Sequence, residues 1–128
     1  AGIDMEFQST KGIFQQIADT LSHRILEGKL PPGERVPSVR DLAAEFEVNR
    51  NTLLRTYSIL EDAGIIVNKR GIGFFVADNA IELIMQNEKK AFFANDLPDF
   101  MQKVKVLKIS SSELQELIQI LSNNENKP

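Results

Sequence analysis

Apolar residues recur every four positions at Ile13, Ile17, Leu21 and Ile25, and Phe14, Ala18 and Leu26 widen the stripe. That period marks one face of an amphipathic helix running to about Glu27 and ended by Gly28. Residues 1–11 show no period and read as an arm or disordered lead. Leu30-Pro31-Pro32-Gly33 is a turn by composition, and Arg35-Val36-Pro37 is extended, because a residue before proline is pushed away from helix. Ser38 opens a short second helix, with Asp41 placed as in a capping box and Val39, Leu42, Ala43 and Phe46 as its buried stripe. After the tight connection Glu47-Val48-Asn49, Asn49 caps a third helix through Asp62. Leu53, Tyr57 and Leu60 form its inner face, Leu54, Ile59 and Ala63 its flanks, and Gly64 its end. A β-branched run at 65–69, the turn Arg70-Gly71-Ile72-Gly73 and a second run at 74–76 predict a β-hairpin with a basic tip.

Beyond Ala77, Ile81, Ile84, Met85, Phe92 and Phe93 predict a further helix from about Asn79. Pro98 predicts a kink or break near Asp96. Apolar positions resume at Phe100, Met101, Val104 and Leu107. Ser110-Ser111-Ser112-Glu113 is a capping box opening a last helix that carries Leu114, Leu117, Ile118 and Leu121. Residues 122–128 are polar and expected to fray. The fold expected is mostly α with a small β-hairpin. Residues 11–78 form an N-terminal winged helix-turn-helix, and residues 79–124 form a short C-terminal helical tail. So short a tail cannot enclose an ordinary ligand cavity of roughly 300–1,000 Å³. Its apolar surface is therefore expected to bury itself against a second copy related by a two-fold axis. The tail positions assigned to that interface are Ile81, Ile84, Met85, Phe92, Phe93 and Phe100, followed by Met101, Val104, Leu114, Leu117, Ile118 and Leu121.

Composition narrows the chemistry. The 128 residues contain no cysteine and one histidine, His23. Thiolate metal sites, disulfides and cysteine nucleophiles are excluded, and a histidine-based zinc site or catalytic triad has too few members. No nucleophile–base pair or phosphate loop appears, so the chain is not read as an enzyme, and no cofactor is called for. No apolar run reaches membrane-spanning length, so the cytoplasm is the default compartment. The acidic residues Glu82, Glu88, Asp96 and Asp99 read as a solvated face rather than a metal site. The net charge is −3, but local distribution decides where an anion docks. Residues 48–60 carry Arg50 and Arg55 without an acid, and residues 63–77 carry Lys69 and Arg70 without one.

Two helices joined by a tight turn and followed by a basic hairpin make a winged helix-turn-helix, whose second helix enters the DNA major groove N-terminus first. Here that end reads Asn49-Arg50-Asn51-Thr52. Arginine can fork onto guanine O6 and N7, asparagine can pair with adenine, and the threonine methyl can touch the thymine methyl. Ser38 and Arg40, of the preceding helix, are also assigned to the DNA-binding surface, with Arg40 within reach of phosphate or a base edge. Lys69, Arg70 and Gly71 form the wing tip and are assigned to DNA binding, with Lys69 and Arg70 expected to clamp the adjacent backbone.

The run from Gly28 through Leu30-Pro31-Pro32-Gly33-Glu34-Arg35-Val36-Pro37-Ser38-Val39-Arg40-Asp41-Leu42-Ala43 resembles the N-terminal signature of the GntR family of bacterial transcription regulators. Val48-Asn49-Arg50-Asn51-Thr52-Leu53, Leu60-Glu61-Asp62-Ala63-Gly64 and the wing Gly71-Ile72-Gly73-Phe74-Phe75-Val76 continue it, over residues 13–77. The short tail resembles that of the YtrA-like subfamily. The resemblance implies a homodimer on a near-palindromic double-stranded DNA operator. It places DNA contacts at Arg40, Asn49, Arg50, Asn51, Thr52 and the wing tip around Arg70 and Gly71. Several members carry arginine where this chain has Leu54, so nothing is assigned there, and Arg55 is expected at phosphate. Repression is the default expectation, and the residues identify no effector. The alternative of another class is a winged-helix module for protein–protein contact, which the acidic balance fits and the basic groove-facing positions oppose.

Overall fold

The computed structural model describes residues 2–125, with side chains from residue 12 onward. Helix α1 spans Gly2–Leu26, so the expected arm or lead is helical from Gly2. Ile17, Leu21 and Ile25 are buried, as the four-residue period requires, and Ile13 at the start of the stripe is exposed. Helix α2 spans Val39–Phe46 and α3 spans Arg50–Asp62. Leu42 from α2 and Leu53, Tyr57 and Leu60 from α3 close on the α1 stripe to make the core. Thr56 is also fully buried on α3, because its hydroxyl donates back to the Thr52 carbonyl at 2.9 Å and so needs no water.

The helix ends share one device. In a Schellman motif a residue with positive φ follows the helix, and two backbone N–H groups return to the last free carbonyls. Gly28 (φ 83) and Gly64 (φ 79) serve α1 and α3. At Gly64 the bonds are Gly64 N–H to Glu61 and Ile65 N–H to Leu60, both 2.9 Å. Helix α2 ends in the same way on Glu47 (φ 56), with Val48 N–H returning to Ala43 at 3.0 Å. A side chain thus occupies the left-handed conformation that glycine takes most easily.

Strands β1 (Ile66–Lys69) and β2 (Gly73–Val76) pair antiparallel, with Ile66 opposite Val76 and Lys69 opposite Gly73. A third extended segment completes the sheet. Arg35 bridges to Phe75, Val36 N–H donates to Phe74 and Val76 N–H donates to Glu34, each bond 2.8 Å. β2 is therefore the middle strand. The pleat sends Ile66, Phe74 and Val76 toward the core, and Val67, Lys69, Phe75 and Arg35 to the outer face.

Helix α4 spans Ala80–Ala91. The first compact unit ends at Asn87 and the second begins at Glu88. The winged unit thus continues past residue 78, because Ala80 and Ile84 on α4 are buried in its core. Ile84 was expected on the dimer surface; at 1% exposure it has nothing left to offer a partner.

In the second unit the helical path does not break at Pro98. Residues Phe92–Asp96 form a π turn, closed by Leu97 N–H on the Phe92 carbonyl, and α5 (Leu97–Val106) follows directly. Proline lacks an N–H and crowds the carbonyl four residues back, so an unmodified α-helix is strained there. The wider turn places Pro98 in the first turn of α5, where the missing donor leaves no gap. Helix α5 ends in another Schellman motif on Lys108 (φ 54), with Ile109 N–H on Val104 at 3.0 Å. The Ser110–Glu113 box is complete. Glu113 N–H donates to Ser110 Oγ at 3.2 Å, and Ser110 N–H donates to Glu113 Oε1 at 3.3 Å. It opens α6 (Ser111–Glu125). Of residues 122–128, expected to fray, 122–125 continue α6 as helix, and 126–128 lie outside the described residues.

Candidate nucleic-acid interface

The turn between α2 and α3 is fixed at both helix starts by side-chain caps. Ser38 Oγ accepts the Asp41 N–H at 3.1 Å, and Asn49 Oδ1 accepts the Thr52 N–H at 2.9 Å. Thr52 Oγ1 also donates to Asn49 Oδ1, at 3.1 Å. The oxygens of Ser38 and Asn49 are thus occupied in aiming the helices, and Asn49 presents only its amide NH₂ outward. Thr52 is half-buried, whereas Arg50 and Asn51 are exposed. The first turn of α3 holds no acid. The positive end of its dipole, its free N–H groups and the Arg50 guanidinium act together to attract an anion.

Arg40 is exposed on α2, and with Ser38, Val39, Ala43 and Arg50 it borders an open cleft of about 440 Å³. Glu45 is hydrogen-bonded and ion-paired to Arg24 of α1, whose guanidinium also lies 5.2 Å from the Phe46 ring centre. That hydrogen bond to Arg24 holds the Glu45 carboxyl below its ordinary value. Arg40 and Arg50 enter no ion pair among the described residues. Arg55 is exposed too, but rests against α1, 5.6 Å from the Phe14 ring centre.

The wing tip is a four-residue turn closed by Ile72 N–H on the Lys69 carbonyl at 2.8 Å. Gly71 sits at its third position with φ 79, as a type II turn requires, and nothing lies within 4 Å of where a Cβ would stand. Lys69 Nζ lies 4.3 Å from the centre of the Phe75 ring, which holds the ammonium on the outer face of the sheet. Arg70 is exposed at the tip.

Sequence reasoning missed Arg35, which it read only as extended backbone. Its guanidinium lies over Gly73, where a Cβ would come within 3.0 Å of Nε and 3.1 Å of Nη2. Arg35 therefore joins Lys69 as a second cation on the outer face. The faint signal was the second glycine of the wing, Gly73, beyond the one that the turn consumes.

Of the tail positions, Phe92, Phe93, Phe100, Met101, Leu117, Ile118 and Leu121 are exposed, as are Ile81 and Met85 on α4. Val104 and Leu114 are half-buried within the tail. Among the described residues, no cluster of acids and histidine is placed to hold a metal, and no helix is long and apolar enough to cross a membrane.

Comparison with known proteins agrees with this geometry. The family profile for bacterial regulatory proteins of the gntR family matches residues 13–76, half of the chain. The HTH-type transcriptional regulator YhcF of Bacillus subtilis is 39% identical over 114 residues, which cover 89% of this chain and 93% of that protein. The HTH-type transcriptional repressor YtrA of the same organism is 34% identical over 86 residues, covering 67% of this chain and 66% of YtrA. A crystal structure of a GntR-family transcriptional regulator from Bacteroides thetaiotaomicron superimposes with a TM-score of 0.75 at 37% identity. It covers 89% of this chain and 99% of that one.

Proposed function

Since the chain belongs to the gntR family of bacterial regulatory proteins, transcriptional regulators rather than enzymes, we propose that it acts as a cytoplasmic repressor, binding a near-palindromic DNA operator as a homodimer. The observation that carries the DNA reading is the exposed, acid-free start of α3. Arg50 and Asn51 project from a helix whose first turn is capped by Asn49, and Arg40, which enters no ion pair among the described residues, shares a cleft with Arg50. Arg50 and Asn51 read base edges, and Thr52 offers its methyl. Arg40, Arg55, Lys69 and Arg70 hold the phosphates, with Gly71 letting the wing backbone approach. Ser38 and Asn49 set the helix angles.

The tail supports the dimer. Phe93, Met101, Ile118 and Leu121 are 62%, 60%, 64% and 63% exposed, a density of bare apolar side chains that a soluble chain covers with a partner. A second copy offers the same surface in two-fold register and sets two recognition helices about one DNA turn, ~34 Å, apart. Repression follows if the operator overlaps a promoter. It is also the role named for the related YtrA.

Selection of bound duplexes from a random pool, with sedimentation of the free protein, tests this. The expected result is a two-fold-symmetric motif and a dimer. A pool without sequence preference and with only steeply salt-dependent binding overturns the DNA reading in favour of protein contact. A symmetric motif bound by a monomer overturns the tail assignment alone.

A further inference from the structure

Leu54 stands where packing does not call for a leucine. At about 100° per residue, it falls between Arg50 and Asn51 around the circumference of α3 and one turn further along. Leu53, Thr56, Tyr57 and Leu60 form the buried face. Ile59, on a flank, packs against the core, but Leu54 is 44% exposed and takes no part in it. The exposed positions of α3 are otherwise Arg50, Asn51, Arg55, Ser58, Glu61 and Asp62, all polar. A lone aliphatic group thus lies within the polar surface that carries the arginine and the asparagine.

Base edges in the major groove present hydrogen-bond donors and acceptors and one apolar group, the thymine C5 methyl. A leucine can satisfy no donor or acceptor. Set against cytosine N4 or guanine O6 it would leave a polar edge dehydrated and unpaired, which disfavours those bases. Set against a thymine methyl it buries apolar surface on both sides. We infer that Leu54 is a specificity-determining residue that packs on the methyl of one thymine in each half-site, next to the bases read by Arg50 and Asn51. This rests on the DNA reading above, and adds one base identity to it.

The test removes the methyl and nothing else. In the selected duplex each thymine is replaced in turn by deoxyuridine, and affinity is measured for the wild type, Leu54→Ala and Thr52→Ser. Thr52→Ser deletes the other candidate methyl and keeps the hydroxyl that bonds Asn49. At one position per half-site, uracil is expected to weaken wild-type binding about fourfold, the worth of one buried methyl group at ~0.8 kcal/mol. Leu54→Ala is expected to bind thymine and uracil equally there, while Thr52→Ser keeps the wild-type ratio. Wild-type indifference to uracil everywhere, a preferred half-site with no thymine, or the lack of any thymine whose uracil penalty vanishes in Leu54→Ala and persists in Thr52→Ser each overturns the inference. In those cases the DNA reading survives, provided that Arg50→Ala still relaxes the preferred sequence. A pool with no preferred sequence overturns both.

Discussion

The hydroxyl of Tyr57, in the middle of α3, donates a hydrogen bond to the backbone carbonyl of Pro37, the residue before the α2 cap. Its ring meets Phe74 of the wing edge to face, 5.0 Å between centres at 81°. One side chain therefore ties the recognition helix to the approach to α2 and to β2. Tyr57→Phe keeps the ring but leaves a shielded carbonyl without its donor. Stability is expected to fall by roughly 1–3 kcal/mol, read as a lower urea midpoint at unchanged slope. An unchanged midpoint would mean that water replaces the hydroxyl.

The same burial gives a pH dependence. Burial raises the Tyr57 phenol above its ordinary 10.0, and Asp41 adds to the rise. A raised folded pKa means that the contribution is fully present below the unfolded value and is lost as pH rises beyond it. Tyr57 is the only tyrosine and there is no tryptophan, so phenolate absorbance reports this group alone. Ionisation is expected to coincide with alkaline unfolding seen by circular dichroism, and Tyr57→Phe is expected to make the alkaline loss of stability shallower. A smooth titration near pH 10 in the folded protein contradicts it.

Glu47 holds φ 56 in the turn of the helix-turn-helix. A side chain pays about 1–2 kcal/mol for that conformation, and glycine gives part of it back through its larger unfolded entropy. Glu47→Gly is expected to stabilise the fold by roughly 0.5–1 kcal/mol. Gly64→Ala is the converse. It forces a side chain to φ 79, with Cβ 3.4 Å from Leu83 Cδ1, and lowers the thermal midpoint. A Glu47→Gly midpoint equal to or below wild type rejects the strain argument.

These helix ends also show what the chain made legible. Gly28, Gly64, Ser38, Asn49 and the Ser110–Glu113 box could be read because each uses the residue type that its geometry favours. Glu47 and Lys108 could not, since nothing in a glutamate or lysine announces a positive φ that its neighbours impose. The hairpin was visible in its β-branched runs. The third sheet segment was not, because its pairing partners lie about forty residues away. Ile84 was misplaced for a related reason. Its period fits a helix face, but periodicity alone does not say which of two surfaces that face meets. In the site, the basic windows around Arg50 and Lys69 stood out by lacking acids. The Arg24–Glu45 pair could not be read there, because it is a tertiary pairing across 21 residues.

Asn49 separates aiming from reading. Its Oδ1 accepts from both the amide and the hydroxyl of Thr52, so its first duty is the cap. Asn49→Ala is expected to cost about 0.5–2 kcal/mol of stability, whereas Asn49→Asp and Asn49→Ser keep most of it. If the amide NH₂ also touches a base, Asn49→Ser weakens operator binding at wild-type stability. Equal urea midpoints for Asn49→Ala and wild type would remove the capping role.

Arg50 and Lys69 are expected to fail in different ways. Arg50 projects from the start of α3 and enters no ion pair among the described residues, so its guanidinium is available to a guanine edge. Lys69 is held over Phe75 on the wing's outer face, the position proposed above for a phosphate contact. Arg50→Ala is expected to cost ~1–3 kcal/mol of operator affinity and to relax the preference at one base pair. Lys69→Ala is expected to weaken every duplex alike and to reduce the slope of log affinity against log salt by about one. Measuring both variants on the selected operator and on a scrambled duplex, at several salt concentrations, separates the two. If Arg50→Ala loses the same factor on both duplexes, Arg50 holds phosphate, and base reading passes to Asn51 and its neighbours. If Lys69→Ala leaves the salt slope unchanged, the wing does not touch the backbone through this residue.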